Sequence, residues 1–190
     1  PALVIAGAGS GKTRVLTYKI VHLLHQGFEP WRILALTFTN KAAREMRERI
    51  EKLVGPAVAS KLWMGTFHSI FSRILRTNAD RIGFKSNFTI YDANDSKALI
   101  KMIIKDMGLD DKTFPAKYVL SVISKEKDRL VTPDEMLERV EGGRDVGLLY
   151  VAKAYKKYQA RLKENNALDF DDIIFKTVEL LQGFPDVLEY

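Results

Sequence analysis

The residues best suited to chemistry form one run near the start of the chain, where glycines alternate with small residues before a Lys-Thr pair. The run consists of Ala6, Gly7, Ala8, Gly9, Ser10, Gly11, Lys12 and Thr13. Because glycine has no Cβ, the backbone can bring its N–H groups close to phosphate oxygens. In such a loop the lysine contacts the β and γ phosphates of a nucleotide, and the threonine hydroxyl binds Mg²⁺. The spacing predicts a phosphate-binding loop, with an ordinary glycine-rich turn as the alternative. Alanine stands where the common motif begins with glycine, a change that keeps the backbone donors.

The flanking sequence predicts the elements that hold this loop. Residues 3–5 form an apolar run that predicts a buried β-strand, and the apolar spacing after the loop predicts a helix extending to about Gln26. Strand, glycine-rich turn and helix in this order are the usual context of a phosphate-binding loop. Arg14, in the first helical turn, either stacks on an adenine ring or is an ordinary solvated residue.

Two further strand–helix units follow. Residues 33–38 and 62–66 read as short buried strands, with helices predicted over residues 41–53 and from residue 67 onward. This alternation predicts a parallel α/β sheet, in which ligands bind beyond the carboxyl ends of the strands. The phosphate-binding loop, residues 38–41 and residues 66–68 are therefore expected to meet at one edge of the sheet.

From about residue 80 the sequence predicts a mainly helical region with one short β-like run at residues 87–91. Helices are expected over residues 95–107, 116–125, 133–140, 146–165 and from about 169 to 181. The tyrosines and basic residues at 146–165 favour either nucleic-acid binding or, more simply, inward tyrosines with solvated lysines. The aspartates at 169, 171 and 172 allow a metal site, but aspartates at a helix start more commonly cap backbone N–H groups.

The composition restricts the class of protein. The 190 residues include 30 Lys and Arg against 24 Asp and Glu, a formal net charge of +6, which suits a polyanionic partner or a well-solvated basic surface. The absence of cysteine excludes disulfides, zinc sites built on cysteine and thiol nucleophiles. No apolar run has the ~20 residues of a membrane span and no signal peptide is recognised, so we expect an intracellular protein without membrane contact.

The sequence contains only the phosphate-binding half of an NTPase site. Phosphate-loop NTPases also carry an apolar strand ending in Asp or Asp-Glu, whose carboxylates hold Mg²⁺ and orient the attacking water. The acidic pair at 134–135 follows Thr-Pro, and the aspartates at 169–172 have no predicted strand before them. No arginine finger is recognised either. Together with the ends of the chain at Pro1 and Tyr190, this indicates a piece of a longer protein.

Four segments together resemble the motifs of the UvrD/Rep/PcrA family of superfamily 1A DNA helicases. They are residues 6–14, Thr-Phe-Thr-Asn-Lys-Ala-Ala at 37–43, Gly-Thr-Phe-His-Ser at 65–69, and Leu-Asp-Phe-Asp-Asp-Ile at 168–173. They occur in the family's order and cover nearly the whole chain. The resemblance implies a RecA-like phosphate-loop NTPase core with a parallel sheet, domain 1A, formed by residues 1–68 and 168–190. Residues 69–167 are then an inserted, mainly helical subdomain 1B.

For the nucleotide, the resemblance implies that residues 6–14 bind ATP. Lys12 and Thr13 are the implied catalytic pair, Thr13 also binds Mg²⁺ with the nucleotide, and Arg14 packs on the adenine. The acidic motif, the arginine finger and the second RecA-like domain of the family are absent from the sequence. We therefore expect the chain alone to hydrolyse ATP inefficiently.

For DNA, the resemblance implies two contact segments on a single strand. Phe38, Thr39 and Asn40 match the first segment, and Thr66 and His68 match the second. On the residues alone, the alternatives are that Phe38 is a core residue at a strand end and that His68 is a packing residue at a helix start.

The implied activity is ATP-dependent 3′–5′ translocation along DNA and unwinding, in repair or replication, by a bacterial, cytoplasmic, nucleoid-associated protein. The expected partners are single-stranded DNA, junctions of single and double strands, and repair or replication proteins, and the chain itself is expected to be a monomer.

Two other classes of protein stay open on the residues alone. One is a phosphate-loop kinase or small GTPase, although residues 40–43 lack the Asp of the guanine signature Asn-Lys-x-Asp. The other is a DNA-binding module without catalysis.

Overall fold

The computed structural model describes residues 3–5, 7 and 9–189. The chain divides into two compact units, Pro1–Ile70 and Phe71–Tyr190. The first is α/β and contains the phosphate-loop sequence, and the second is mainly helical. Leu168 and the residues after it pack within the helical unit, and the assignment of residues 168–190 to domain 1A stays a prediction.

The first unit is built around a parallel pair of strands. Its elements are α1 (Lys12–His25), a 3₁₀ turn (Pro30–Arg32), β1 (Leu34–Thr37), α2 (Asn40–Val54), α3 (Pro56–Ala59), β2 (Trp63–Thr66) and the start of α4 (Phe67–Thr77). The strands pair from Leu34 opposite Trp63 to Thr37 opposite Thr66. The connection between parallel strands must cross over the sheet, and α2 and α3 provide it. These elements confirm the strands predicted at 33–38 and 62–66.

One apolar core joins these elements. Ile20 of α1, Ala35 of β1, Met46 and Ile50 of α2 and Met64 of β2 are all buried in it. The two α2 side chains are one helical turn apart, so both face the sheet. Among the charged residues of α2, Arg44, Glu48, Arg49 and Lys52 are exposed, whereas Arg47 donates to the Met64 carbonyl at 3.0 Å. Burying side chains of this size contributes about 1.5–3 kcal/mol each.

The strand predicted at residues 3–5 is wrong. These residues are not in a strand, and the side chains of Leu3 and Ile5 are 88% and 91% exposed. An apolar run becomes a strand only where neighbouring backbone pairs with it, and no described residue pairs with this one. Among the described residues the sheet of the first unit therefore has two strands, and a complete RecA-like core is not seen.

The second unit consists mainly of helices, with one very short sheet. After α4 and a 3₁₀ turn (Ala79–Ile82) come β3 (Thr89–Ile90), α5 (Ala93–Asp106), α6 (Ala116–Asp128), α7 (Pro133–Val140), α8 (Val146–Glu164), β4 (Ala167–Leu168), α9 (Phe170–Gly183) and α10 (Pro185–Glu189). β3 and β4 pair in parallel, with Ile90 opposite Leu168. The sequence analysis missed β4, which ends directly before Asp169.

Two of the three tyrosines of α8 face the core of the second unit. Tyr155 and Tyr158 are fully buried, whereas Lys153, Lys156 and Lys157 are exposed. The simpler interpretation of this basic, aromatic helix is therefore confirmed for these two tyrosines, but Tyr150 is 37% exposed. Within the described part of the chain, no helix combines the length and the apolar character needed to cross a bilayer.

Candidate functional site

The helix after the glycine-rich run begins at the Lys-Thr pair. Gly11 is the N-cap of α1 with φ 84°, and Gly9 has φ 76°. Both values lie in the left-handed region that side-chain-bearing residues rarely adopt. Gly11 has no side chain to cap α1, and no acidic residue lies in the first turn of this helix. A helix start with its dipole directed this way suits a bound phosphate.

Two side chains fold over this turn. Lys12 Nζ donates a hydrogen bond to the Gly7 carbonyl at 2.5 Å, and Ser10 Oγ donates to the same oxygen at 2.6 Å. A Cβ placed on Gly7 or Gly9 would meet no heavy atom within 4 Å, so the space around the turn is open. Ala6 and Ala8, also predicted to bind ATP, lie outside the described residues.

The Thr13 and Arg14 side chains lie at the exposed start of α1. The Arg14 guanidinium lies 5.8 Å from the centroid of the Tyr18 ring, one turn further along the helix. A cation over an aromatic face is attracted by the ring. The planar group predicted to pack on an adenine is thus held against one aromatic ring within α1.

The two predicted DNA segments lie side by side. Thr37 and Thr66 are opposite each other at the carboxyl ends of β1 and β2, so the chain leaves both strands at one place. Phe38 is 90% exposed, and its ring centroid lies 5.4 Å from that of Phe67 at an interplanar angle of 44°. For these two segments, the predicted meeting at one sheet edge is confirmed.

The remaining residues of the first segment begin α2. Thr39 is the N-cap, and its Oγ1 accepts a hydrogen bond from the Ala42 N–H at 3.1 Å, as expected for a threonine at this position. Asn40 is exposed in the first turn. Lys41 follows it, and no acidic residue lies in that turn.

The second segment is more tightly packed. Thr66 is 8% exposed, and its Oγ1 accepts from the Ser69 N–H at 3.2 Å. A Cβ on Gly65 would lie 2.5 Å from Ser69 Oγ and 3.2 Å from the Ile70 side chain, so a larger residue here would have to displace the side chains at the start of α4. His68 is half-buried in the first turn of α4. Of the predicted DNA contacts, both threonines have hydroxyl oxygens already engaged within the chain, and Thr66 is also buried.

The aspartates at 169 and 172 cap α9. Asp169 Oδ1 accepts from the Asp172 N–H at 2.8 Å, and Asp172 Oδ2 accepts from the Asp169 N–H at 3.2 Å, which is a capping box. The capping interpretation is confirmed. Within the described ranges, no cluster of three or more His, Asp or Glu side chains could hold a metal ion.

The sequence analysis missed a buried lysine beside this capping box. Lys127 of α6 has a side chain that is 1% exposed, with its Nζ 2.7 Å from Asp169 Oδ2 and 2.9 Å from Asp172 Oδ1. Burial lowers the pKa of a lysine, but the two carboxylates outweigh burial and raise the pKa of Lys127 above its usual value. The available signal was its position four residues after Ile123, on the buried face of α6.

The net charge is unevenly divided between the units. Residues 1–70 contain ten Lys and Arg against four Glu, whereas residues 71–190 contain twenty basic and twenty acidic residues. The formal charge of +6 therefore belongs to the unit that carries the glycine-rich turn and the two segments after β1 and β2. A positive field at that unit attracts anionic ligands.

Comparison with known proteins gives one consistent result. The family model of the UvrD/REP helicase N-terminal domain matches residues 1–190. The chain is 49% identical over 191 residues to the ATP-dependent DNA helicase PcrA of Staphylococcus aureus and 48% identical to that of Staphylococcus epidermidis. These matches cover the whole chain but 26% of the length of each relative. The chain therefore belongs to the UvrD/REP helicase N-terminal domain family.

Proposed function

We propose that this chain is the ATP-binding and single-stranded-DNA-binding N-terminal part of an ATP-dependent DNA helicase that translocates 3′ to 5′. Its PcrA relatives are named as ATP-dependent DNA helicases. The +6 charge of the first unit supports a polyanionic ligand there. Family membership favours this proposal over a kinase or small GTPase.

The observation that carries the proposal is the pairing of Thr37 with Thr66. It brings the exposed Phe38 ring next to Phe67, and an exposed aromatic ring in a positive field is the usual means of binding single strands by base stacking. Thr39 and Asn40 begin α2 beside this pair, and His68 lies in the first turn of α4. We assign DNA contacts to Phe38, Thr39, Asn40 and His68, with Thr66 supporting the second segment.

The start of α1 fits the phosphates of ATP. The first turn of α1 without an acidic residue, the open space at Gly7 and Gly9, and the Lys12 ammonium directed at the turn all favour an anion. Lys12 binds the phosphates after leaving the Gly7 carbonyl, Thr13 provides the hydroxyl for Mg²⁺, and Arg14 packs on the adenine. Bound Mg²⁺ neutralises charge on the phosphate oxygens.

The wider setting follows the family. We propose a bacterial protein of the cytoplasm and nucleoid that acts in repair or replication, on single-stranded DNA and its junctions with duplex. Residues 1–68 and 168–190 are proposed as domain 1A and residues 69–167 as subdomain 1B. The isolated chain is proposed to be monomeric and to hydrolyse ATP inefficiently, because it carries only the phosphate-binding half of the site.

The test is ATP hydrolysis by the complete protein with and without single-stranded DNA. We expect strong stimulation by the strand, about 10-fold weaker stimulation in Phe38→Ala because base stacking contributes about 1–3 kcal/mol, and loss of turnover in Lys12→Ala. Phe28→Ala is the matched control, since Phe28 is also an exposed phenylalanine of the first unit.

Three results would contradict the proposal. Hydrolysis that is indifferent to DNA would show that the segments after β1 and β2 do not communicate with the phosphate-binding turn. Equal effects of Phe38→Ala and Phe28→Ala would remove Phe38 from the DNA site. A complete protein that binds DNA without any effect of nucleotide would be a binding module without catalysis.

A further inference from the structure

Five side chains form a buried ion-pair network where α6, α8 and α9 meet. They are Lys127 of α6, Tyr158 and Gln159 of α8, and Asp169 and Asp172 at the start of α9. Tyr158 OH donates to Asp169 Oδ2 at 3.0 Å, and Gln159 Nε2 donates to Asp172 Oδ1 at 3.0 Å. Each carboxylate is therefore held by the lysine and by a donor from α8.

The carboxylates of this network are also the capping box of α9. The backbone N–H groups of Asp169 and Asp172 donate to oxygens of the opposite side chain. Removal of the Lys127 ammonium would leave two buried like charges facing each other within the cap, and like charges in a buried site cannot both stay ionised cheaply. The helix start and the contact with α6 thus depend on the same atoms.

We infer that Lys127 is a positioning residue that locks the start of α9 to the end of α6, so that the two segments open and close as one cooperative unit. An apolar cluster could supply similar stability. An ammonium between two fixed carboxylates also defines the geometry of the contact between α6 and α9. The cation bound by the aspartates at 169 and 172 is then the Lys127 ammonium, a group of the chain itself. In the proposed domain arrangement, the lock joins the inserted subdomain to the returning segment across their boundary at residue 168.

Native-state hydrogen exchange of the full-length protein tests this lock. In Lys127→Met we expect amides of residues 169–177 to exchange about 100-fold faster or more, because removing one partner of a buried ion pair is strongly destabilising. Amides of α5, whose Leu99 and Ile103 lie in the main helical core, are expected to lose much less protection. Lys156→Met is the matched control, since it removes only the exposed pair with Asp134.

Tyr158→Phe provides a milder variant that keeps the ring and removes one hydrogen bond to Asp169. We expect exchange at residues 169–177 to increase about 10-fold, as for loss of a hydrogen bond to a charged group. If Lys127→Met does not fold, this variant decides the question alone. Unchanged protection of α9, or equal losses in α5 and α9, would overturn the inference.

Discussion

The two units differ in how several of their helices begin. In the second unit, α5, α7 and α9 each start with a complete capping box, Asp92 with Asp95, Thr132 with Glu135 and Asp169 with Asp172. In the first unit, α1 and α2 have no acidic residue in the first turn. A carboxylate near a helix start neutralises its dipole. Carboxylates thus compensate three helix starts of the helical unit, whereas α2 is capped by the Thr39 hydroxyl and the first turn of α1 has no carboxylate.

The charge balance follows the same division. The second unit has equal numbers of acidic and basic residues, and the whole formal charge of +6 lies in the first. Structural helices gain stability from internal compensation, whereas a binding unit retains an unpaired positive field. We therefore expect changes at helix starts to affect mainly stability in one unit and mainly binding in the other.

The largest expected effect is in the second unit. Asp169→Ala removes a cap and one partner of Lys127, and we expect a loss of about 3–5 kcal/mol in the free energy of unfolding. Thr39→Ala removes only the N-cap of α2 and is expected to cost about 1 kcal/mol. Urea denaturation of both variants measures the two losses in unfolding free energy. Similar losses would contradict the difference between the helix starts of the two units.

A steric change comes next and probes how the first unit is constrained. Gly65→Ala places a Cβ 2.5 Å from Ser69 Oγ, and we expect a cost of about 1–3 kcal/mol from overpacking. Gly7→Ala is the control, because a Cβ there meets open space. Thermal unfolding measures both losses of stability. A larger loss in Gly7→Ala than in Gly65→Ala would contradict the close contact at Gly65.

A smaller effect has opposite signs for stability and for binding. Arg14→Glu places a carboxylate in the first turn of α1, and we expect a gain in unfolding free energy of about 0.3–1 kcal/mol from the helix dipole. The same carboxylate repels phosphate, so nucleotide affinity should fall, measured by titration calorimetry of the complete protein. Arg14→Gln separates loss of the guanidinium from the added charge. A stability gain without weaker binding would place the nucleotide elsewhere.

The smallest effect is a pH dependence in α7. The backbone N–H of Thr132 and, with a smaller effect, its hydroxyl donate hydrogen bonds to the Glu135 carboxylate. These hydrogen bonds lower the pKa of Glu135 below its usual value of 4.5. Its stabilising contribution is therefore complete above pH 4.5 and is lost as the pH falls through the lowered pKa. In an NMR titration, Thr132→Val should raise the pKa of Glu135. The pKa of Asp110, lowered mainly by the Thr113 hydroxyl, should stay unchanged, and a shift in both would point to a general unfolding effect.

Local signals predicted most of the elements. Thr-Pro-Asp-Glu at 132–135 defined the start of α7, and the buried runs at 33–38 and 62–66 defined β1 and β2. These patterns succeed because a cap or an apolar run acts on neighbouring residues. The glycine-rich turn was recognised for the same reason, since its residues are contiguous.

The errors involve partners that are distant in sequence. Residues 3–5 have strand composition but no described residue to pair with, whereas the two-residue β4 has too little pattern to detect and forms because Ile90 pairs with Leu168. Lys127 lies 42 residues from Asp169, so its burial is visible only after α6 and α9 are brought together.

The concentration of charge in one unit also has a kinetic consequence. An approaching polyanion is attracted by the first unit and meets a second unit that is neutral overall. Such steering raises the rate of encounter and weakens steeply with ionic strength, while the lifetime of a complex depends on short-range contacts such as those proposed for Phe38. Salt should therefore slow capture of a strand much more than it hastens release.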